Sequence, residues 1–145
     1  MAKAQKIILG KRPASFEKEI TFQMLDGSTG CMKVEYVYRT RTEYAEFTDA
    51  LQAAVAARAE KETARYKAAV DAGEPLPEFR QADLVAHQVG VNVDSIMKSV
   101  KGWNLDIPFD REAVEQLVDE LPAAVAAIVS SYREAITEGR LGNSV

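Results

Sequence analysis

The apolar period changes once in this chain, near residues 40–43, and the change separates a strand-forming part from a helix-forming part. Phe16, Ile20, Phe22 and Met24 alternate with Glu17, Glu19, Thr21 and Gln23; Lys18 is the one polar lapse on the apolar side. Met32, Val34, Tyr36 and Tyr38 then alternate with Lys33, Glu35, Val37 and Arg39. Between the two runs lies Asp26-Gly27-Ser28-Thr29-Gly30, rich in residues that tolerate turn geometry. Two alternating runs around such a loop predict a β-hairpin over about residues 14–39. Ile7 to Leu9 is a candidate for a short third strand. A lone hairpin is marginal in water, so its apolar face is expected to lie on helices.

From Tyr44 onward the spacing is helical. Tyr44, Phe47, Leu51 and Val55 recur three or four residues apart. Thr40 with Glu43 fits a capping box, with Thr42 as the alternative N-cap. Ala-rich sequence carries this helix to Ala72, and Gly73 stops it. Its distal half, with Glu60, Lys61, Glu62, Arg65 and Lys67, is polar enough to project from the body or flank a partner. Gly73-Glu74-Pro75-Leu76-Pro77 is a connector. Asp83 to Val89 and Asp94 to Val100 read as two short helices around Gly90-Val91-Asn92-Val93. Asp110 is an N-cap preceded by Phe109, which is placed to staple onto Val114. Val114, Leu117, Val118 and Leu121 form the apolar side of that helix. Pro122 suits the first position of the last helix, whose buried stripe is expected to be Val125, Ile128, Val129, Tyr132 and Ile136 and whose stop is Gly139. The expected fold is α+β: an N-terminal antiparallel hairpin packed on a mainly helical part, residues 42–139, in one domain over residues 1–145.

Composition excludes several classes. At 145 residues and 47% apolar content, a chain buries roughly 70% of its unfolded surface and needs no disulfide or metal to fold. Cys31 is the sole cysteine, so neither an internal disulfide nor a cysteine-based zinc site can form. No secretory signal and no apolar run near the roughly 20 residues of a membrane span is present. A soluble protein of a reducing cytoplasm is expected. Residues 1–42 hold 8 Lys/Arg against 4 Asp/Glu, whereas residues 43–145 hold 10 against 18. The two regions therefore carry opposite net charge, enough to steer association.

The candidate sites are few. His87 is the only histidine; Asp83 is placed to orient it, but no nucleophile motif accompanies the pair, so a catalytic role is disfavoured. Cys31 has no base beside it in sequence and reads as a small packing residue. Glu112, Glu115 and Asp119 share a helix face without an EF-hand loop or a histidine, so a solvated face is favoured over a cation site. Gly10-Lys11-Arg12 lacks a nucleotide-binding loop. Trp103 reads as a core plug rather than an exposed anchor. Leu84 to Lys101 has the spacing of a helix-turn-helix, and a DNA-binding regulator over residues 84–101 is the alternative reading. Its would-be recognition helix has two lysines, no arginine and an aspartate, which suits neither phosphate neutralisation nor base readout. No cofactor, no metal and no membrane contact is expected, and nucleic acid is disfavoured. The surface expected to bind a helical protein partner is a partly apolar groove on the first long helix and the last one, carried by Tyr44, Phe47, Leu51, Ile128 and Tyr132.

Three segments together resemble the tail assembly chaperones of long-tailed phages. They are Gly10-Lys11-Arg12-Pro13, the hairpin FEKEITFQMLDGSTGCMKVEYVYRTRTEY, and the tail GWNLDIPFDREAVEQLVDELPAAVAAIVSSYREAITEGRLGN. The resemblance covers most of the chain and is weakest from about Ala57 to Gln81. It implies a non-enzymatic assembly factor, phage- or prophage-encoded, that binds the tape measure protein and keeps it soluble. Such a factor helps tail tube protein polymerise around that partner, acts in the host cytoplasm and is absent from the mature virion. A homo-oligomer is compatible with that role. The family has no catalytic residues to carry over.

Overall fold

A computed structural model describes residues 6–141 of the chain. Strand β1, Ser15–Gln23, and strand β2, Thr29–Val37, form the expected antiparallel hairpin, with Phe16 opposite Tyr36 and Ile20 opposite Met32. Asp26 holds the turn by accepting from the backbone N–H of Ser28 at 2.9 Å, and Gly27 adopts φ 85°, where a side chain would be strained. Phe16, Ile20, Met32, Val34 and Tyr36 are buried on one sheet face, while Glu17, Glu19, Cys31 and Lys33 lie exposed on the other. The polar lapse, Lys18, sits half-buried among the core-facing positions of an edge strand. An inward-pointing charge there discourages another strand from pairing along the open edge.

Four helices follow: α1, Arg41–Asp71; α2, Gln81–Ser99; α3, Arg111–Glu120; and α4, Pro122–Glu138. Their starts are built as the sequence suggests. Thr40 Oγ1 accepts from the Glu43 N–H at 3.2 Å and Glu43 Oε1 accepts from the Thr40 N–H at 2.9 Å, so the cap is Thr40 rather than Thr42. Asp110 accepts from the Ala113 N–H at 2.8 Å, and Pro122 opens α4. Gly139 ends α4 at φ 71°.

The chain departs from the expected pattern in three places. The third strand is not Ile7–Leu9, which is irregular and exposed, but β3, Val100–Trp103, giving the order β1-β2-β3. Val100, expected at a helix end, pairs with Tyr36 across a one-residue register slip at Glu35/Tyr36. The two short helices around Gly90 are one helix, α2, running unbroken into β3. Gly90 costs about 1 kcal/mol relative to alanine inside a helix, too little to break one whose Val93 and Ile96 are buried. Val129 stands exposed at the margin of α4, whereas Ala124, Val125, Ile128, Tyr132, Ala135 and Ile136 face inward.

The core lies between the sheet, α4, α3 and the second half of α2. At its centre Phe16, Tyr36 and Tyr132 stack, with the Tyr36–Tyr132 ring centroids 5.0 Å apart. The buried Tyr36 hydroxyl donates to the Ile128 carbonyl at 2.8 Å, so the ring's burial leaves no polar atom orphaned. Burial pushes its phenol well above the ordinary range.

Candidate binding surface

The base of α1 is joined to the core by aromatic and cationic groups. Tyr44 and Phe47 both meet the Tyr132 ring edge-on, at 5.6 and 6.1 Å. Arg39 lies 4.4 Å from the centre of the Phe47 ring and donates to Tyr132 Oη at 2.9 Å and to the Lys98 carbonyl at 3.0 Å. Arg12 donates to Glu43 at 2.5 and 3.3 Å and sits over the Tyr38 ring, tying the N-terminal segment to the same joint. This second pairing draws the Glu43 carboxyl down to about 2, the Arg12 hydrogen bond being the largest cause and the Thr40 amide the next.

The five residues expected at a partner surface therefore divide. Ile128 and Tyr132 are only 1% and 3% exposed and belong to the core. They cannot touch a partner, because the hairpin covers the face of α4 that the periodicity marked as apolar. Tyr44 and Phe47 are half-buried against that core, and Leu51 is half-buried one turn further on. The groove between the start of α1 and the end of α4 is mixed, with Arg39, Thr40, Arg41, Thr137 and Glu138 set around Tyr38, Ile136 and Leu141.

A more apolar cleft lies farther along α1, where the beginning of α2 approaches it. Val55, Ala59, Phe79 and Leu84 line it, with Arg58, Glu62, Asp83 and His87 at its rim, in a volume of about 240 Å³. Phe79 is 69% exposed although it is one of five phenylalanines in the chain. Val55, Leu84, Val85 and Leu76 are exposed with it. Val55 continues the Phe47–Leu51 line at i+4, so one stripe runs from the buried joint into the open cleft. The sequence pattern does not mark Phe79 or Leu84 as a binding surface: Phe79 follows the connector without a period, and Leu84 enters only through the helix-turn-helix spacing. Their signal is weaker: large apolar residues spaced among prolines and charges.

The residues considered for chemistry lie apart: His87 in the cleft, Cys31 on the sheet, and Glu112, Glu115 and Asp119 on α3. His87 lines the cleft beside Asp83 and Glu62, and no serine or cysteine lines it with them. Cys31 is exposed, and the hydrogen bond with the Glu19 carboxylate pushes its thiol up, away from the reactive thiolate. Among the described residues no three His, Cys, Asp or Glu side chains gather into a metal cage. Glu112, Glu115 and Asp119 are exposed on α3, with Glu115 paired to Arg111 at 3.4 Å. Trp103 is half-buried: its indole N–H donates to the Ile107 carbonyl at 2.8 Å and its ring meets Phe109 edge-on at 5.0 Å. An unbroken α2 lacks the turn that a helix-turn-helix requires, which removes the regulator reading. No helix among the described residues is long and apolar enough to cross a membrane.

A three-stranded antiparallel sheet backed by four helices, with an exposed apolar cleft between α1 and α2, defines an α+β scaffold. The family described as phage tail assembly chaperone matches residues 1–143, nearly the whole chain, and the protein belongs to it. No curated protein and no solved structure gives a significant match.

Proposed function

We propose that this chain is the assembly chaperone of a phage tape measure protein and that its α1–α2 cleft receives an amphipathic helical segment of that partner. Membership of the family carries the general role, a factor acting on phage tail proteins in the host cell during assembly. The observation that supports the particular site is the exposed Phe79 beside Val55 and Leu84 at the end of a stripe that starts in the core. A helix laid in such a groove buries its own apolar face there, which would keep a long helical protein from aggregating. Charged groups at the rim, Arg58, Glu62 and Asp83, keep the surface mixed, which suits a partner that must be released when tail tube protein polymerises around it. Tyr44, Phe47 and Leu51 act in this scheme as the inner anchor of the stripe, and Ile128 and Tyr132 as the floor that holds them.

Co-expression with the tape measure protein tests the proposal. The partner is expected in the soluble fraction with the chaperone and in the pellet without it. Hydrogen exchange in the complex is expected to slow over residues 51–62 and 79–87. A partner that is equally soluble alone would overturn the role, and protection confined elsewhere would overturn the site.

A further inference from the structure

The cleft between α1 and α2 is smaller than the occupant assigned to it. Its volume is about 240 Å³, whereas one turn of a helix about 10 Å across fills roughly 420 Å³. As it stands, the cleft has room for side chains but not for a helix backbone between its walls. Seating one there requires the walls to part, and the two walls are not equally fixed. α1 is continuous from Arg41 to Asp71, has no glycine or proline within it, and is fastened at its base, where Tyr44 and Phe47 meet Tyr132. α2 is fastened to the core only in its second half. There Val93, Ile96 and Ser99 are buried, and Asp94 pairs with Arg111 of α3 at 2.9 Å. Every residue from Gln81 to Ala86 is exposed, and Asp83, the carboxylate of that half, joins no ion pair among the described residues.

Gly90 stands at the boundary between these halves. A glycine within a helix lowers its stability relative to alanine, yet a Cβ at Gly90 meets nothing within 4 Å, so packing does not require the missing side chain. What a glycine supplies at such a place is a backbone that leaves the helical conformation at low cost. The exposed half also has somewhere to go. On a second face of α2, Ala86, Val89 and Gly90 look across a groove of about 510 Å³ toward α3. The α3 wall is mixed, with Arg111 bridging Asp94 and Glu115 beside the fastened half of α2. Bending at Gly90 therefore carries the first half of α2 away from α1 over an open groove, while the second half keeps its burial.

We propose that Gly90 is the hinge of a clamp in which α1 is the fixed jaw and residues 81–89 are the moving jaw, and that bending there opens the cleft to a helical segment of the tape measure protein. The use made of the opening rests on the reading of the cleft as that partner's site; the motion itself is a property of the free chain. Because the segment binds the open state, its apparent affinity scales with the fraction of the chain that is open. Gly90→Ala favours the straight helix and lowers that fraction about fivefold.

The test measures distances by pulsed electron spin resonance in the full chain carrying Cys31→Ser, diluted into unlabelled protein so that only distances within one molecule are read. One labelled pair is Ala82→Cys with Glu134→Cys, from the moving jaw to α4; the control is Lys98→Cys with Glu134→Cys, from the fastened half of α2 to α4. All three positions are exposed. The first pair is expected to show two populations and the control a single narrow one. Gly90→Ala should melt no lower than the parent, because its methyl group enters open space, and should shrink the minor population of the first pair about fivefold. Ser95→Gly added to Gly90→Ala returns a glycine to the fastened half and should not restore that population. A soluble tape measure fragment should enlarge it in the parent and bind Gly90→Ala about fivefold more weakly. A single narrow distance for the first pair, with and without the fragment, overturns the hinge, as does a minor population that ignores Gly90→Ala or returns with Ser95→Gly. Failure of the hinge and failure of the cleft are told apart. A fragment that protects the cleft from hydrogen exchange while the distance stays fixed overturns the hinge and leaves the site. A minor population that Gly90→Ala removes supports the hinge even where the fragment does not bind, and it is then the site that falls.

Discussion

Arg39 donates through Nη1 to the phenolic oxygen of Tyr132 at 2.9 Å, across 93 residues of chain. The same phenol donates to the Val37 carbonyl at 2.9 Å, and the same guanidinium reaches the Lys98 carbonyl. One pair thus ties together the end of the hairpin, the last turn of α2, α4 and the start of α1. Tyr132→Phe keeps the ring and removes both hydrogen bonds of its hydroxyl. It should cost about 1–3 kcal/mol, because the Val37 carbonyl loses its donor and Arg39 its acceptor. Urea unfolding should show a lower midpoint at an unchanged slope. A midpoint equal to the parent's would show that the pair is decorative.

Glu43 carries the most strongly shifted carboxyl of the joint. Its acid form titrates at about 2 in the folded protein, against an ordinary 4.5. A depressed folded value means that the unfolded chain binds the proton more readily. The contribution of Glu43 to stability is therefore complete above about 4.5 and fades as pH falls toward about 2. Because the pair with Arg12 is solvent-exposed, screening keeps that contribution modest. Thermal melts of the parent and of Glu43→Gln should differ most at neutral pH and converge as pH falls through this window. A difference that stays constant down to pH about 2 would contradict the linkage.

Trp103 is a clasp rather than a fully buried plug. Its N–H bond to Ile107 and its edge contact with Phe109 close the loop between β3 and α3. Trp103→Phe should cost about 1 kcal/mol through the lost hydrogen bond. Trp103→Ala should cost about 3 kcal/mol, at the low end for a large aromatic because part of the ring is already wet. Intrinsic fluorescence should peak between the buried and fully hydrated limits, and emission at the hydrated limit would contradict the clasp.

What could be read in the sequence was what is decided locally. The hairpin follows from alternation and a glycine turn, the helix starts from Thr40 with Glu43, Asp110 and Pro122, and the stops from Gly73 and Gly139; each is settled within a few residues. Non-local features were not legible. Val100–Trp103 is a strand only because β2 offers it an edge, and Ile7–Leu9, just as apolar, finds none. Gly90 is a turn signal by type but a helical residue by the burial of Val93 and Ile96 around it. Periodicity marked the stripe of α4 as buried without apportioning it between the core and a partner, and the sheet takes Ile128 and Tyr132 into the core. The α1–α2 cleft is set by how the Gly73–Pro77 connector folds back, which no local spacing encodes.

Phe79 separates stability from binding most cleanly. It lies outside regular secondary structure, is exposed and is absent from the core cluster, so Phe79→Ser should leave stability within about 0.5 kcal/mol. In the complex the same ring would fill the centre of the cleft, where truncating an aromatic anchor typically costs about 2 kcal/mol or more, a loss of roughly 30-fold in affinity. Val55→Ser, on the facing wall, should weaken binding by less, because it removes a smaller apolar surface. The measurement is a paired one: a chemical melt of each variant alone, and titration with a soluble tape measure fragment. Phe79→Ser that melts like the parent and binds like it would remove the cleft from the interface and leave the half-buried Phe47–Leu51 end of the stripe as the place to look.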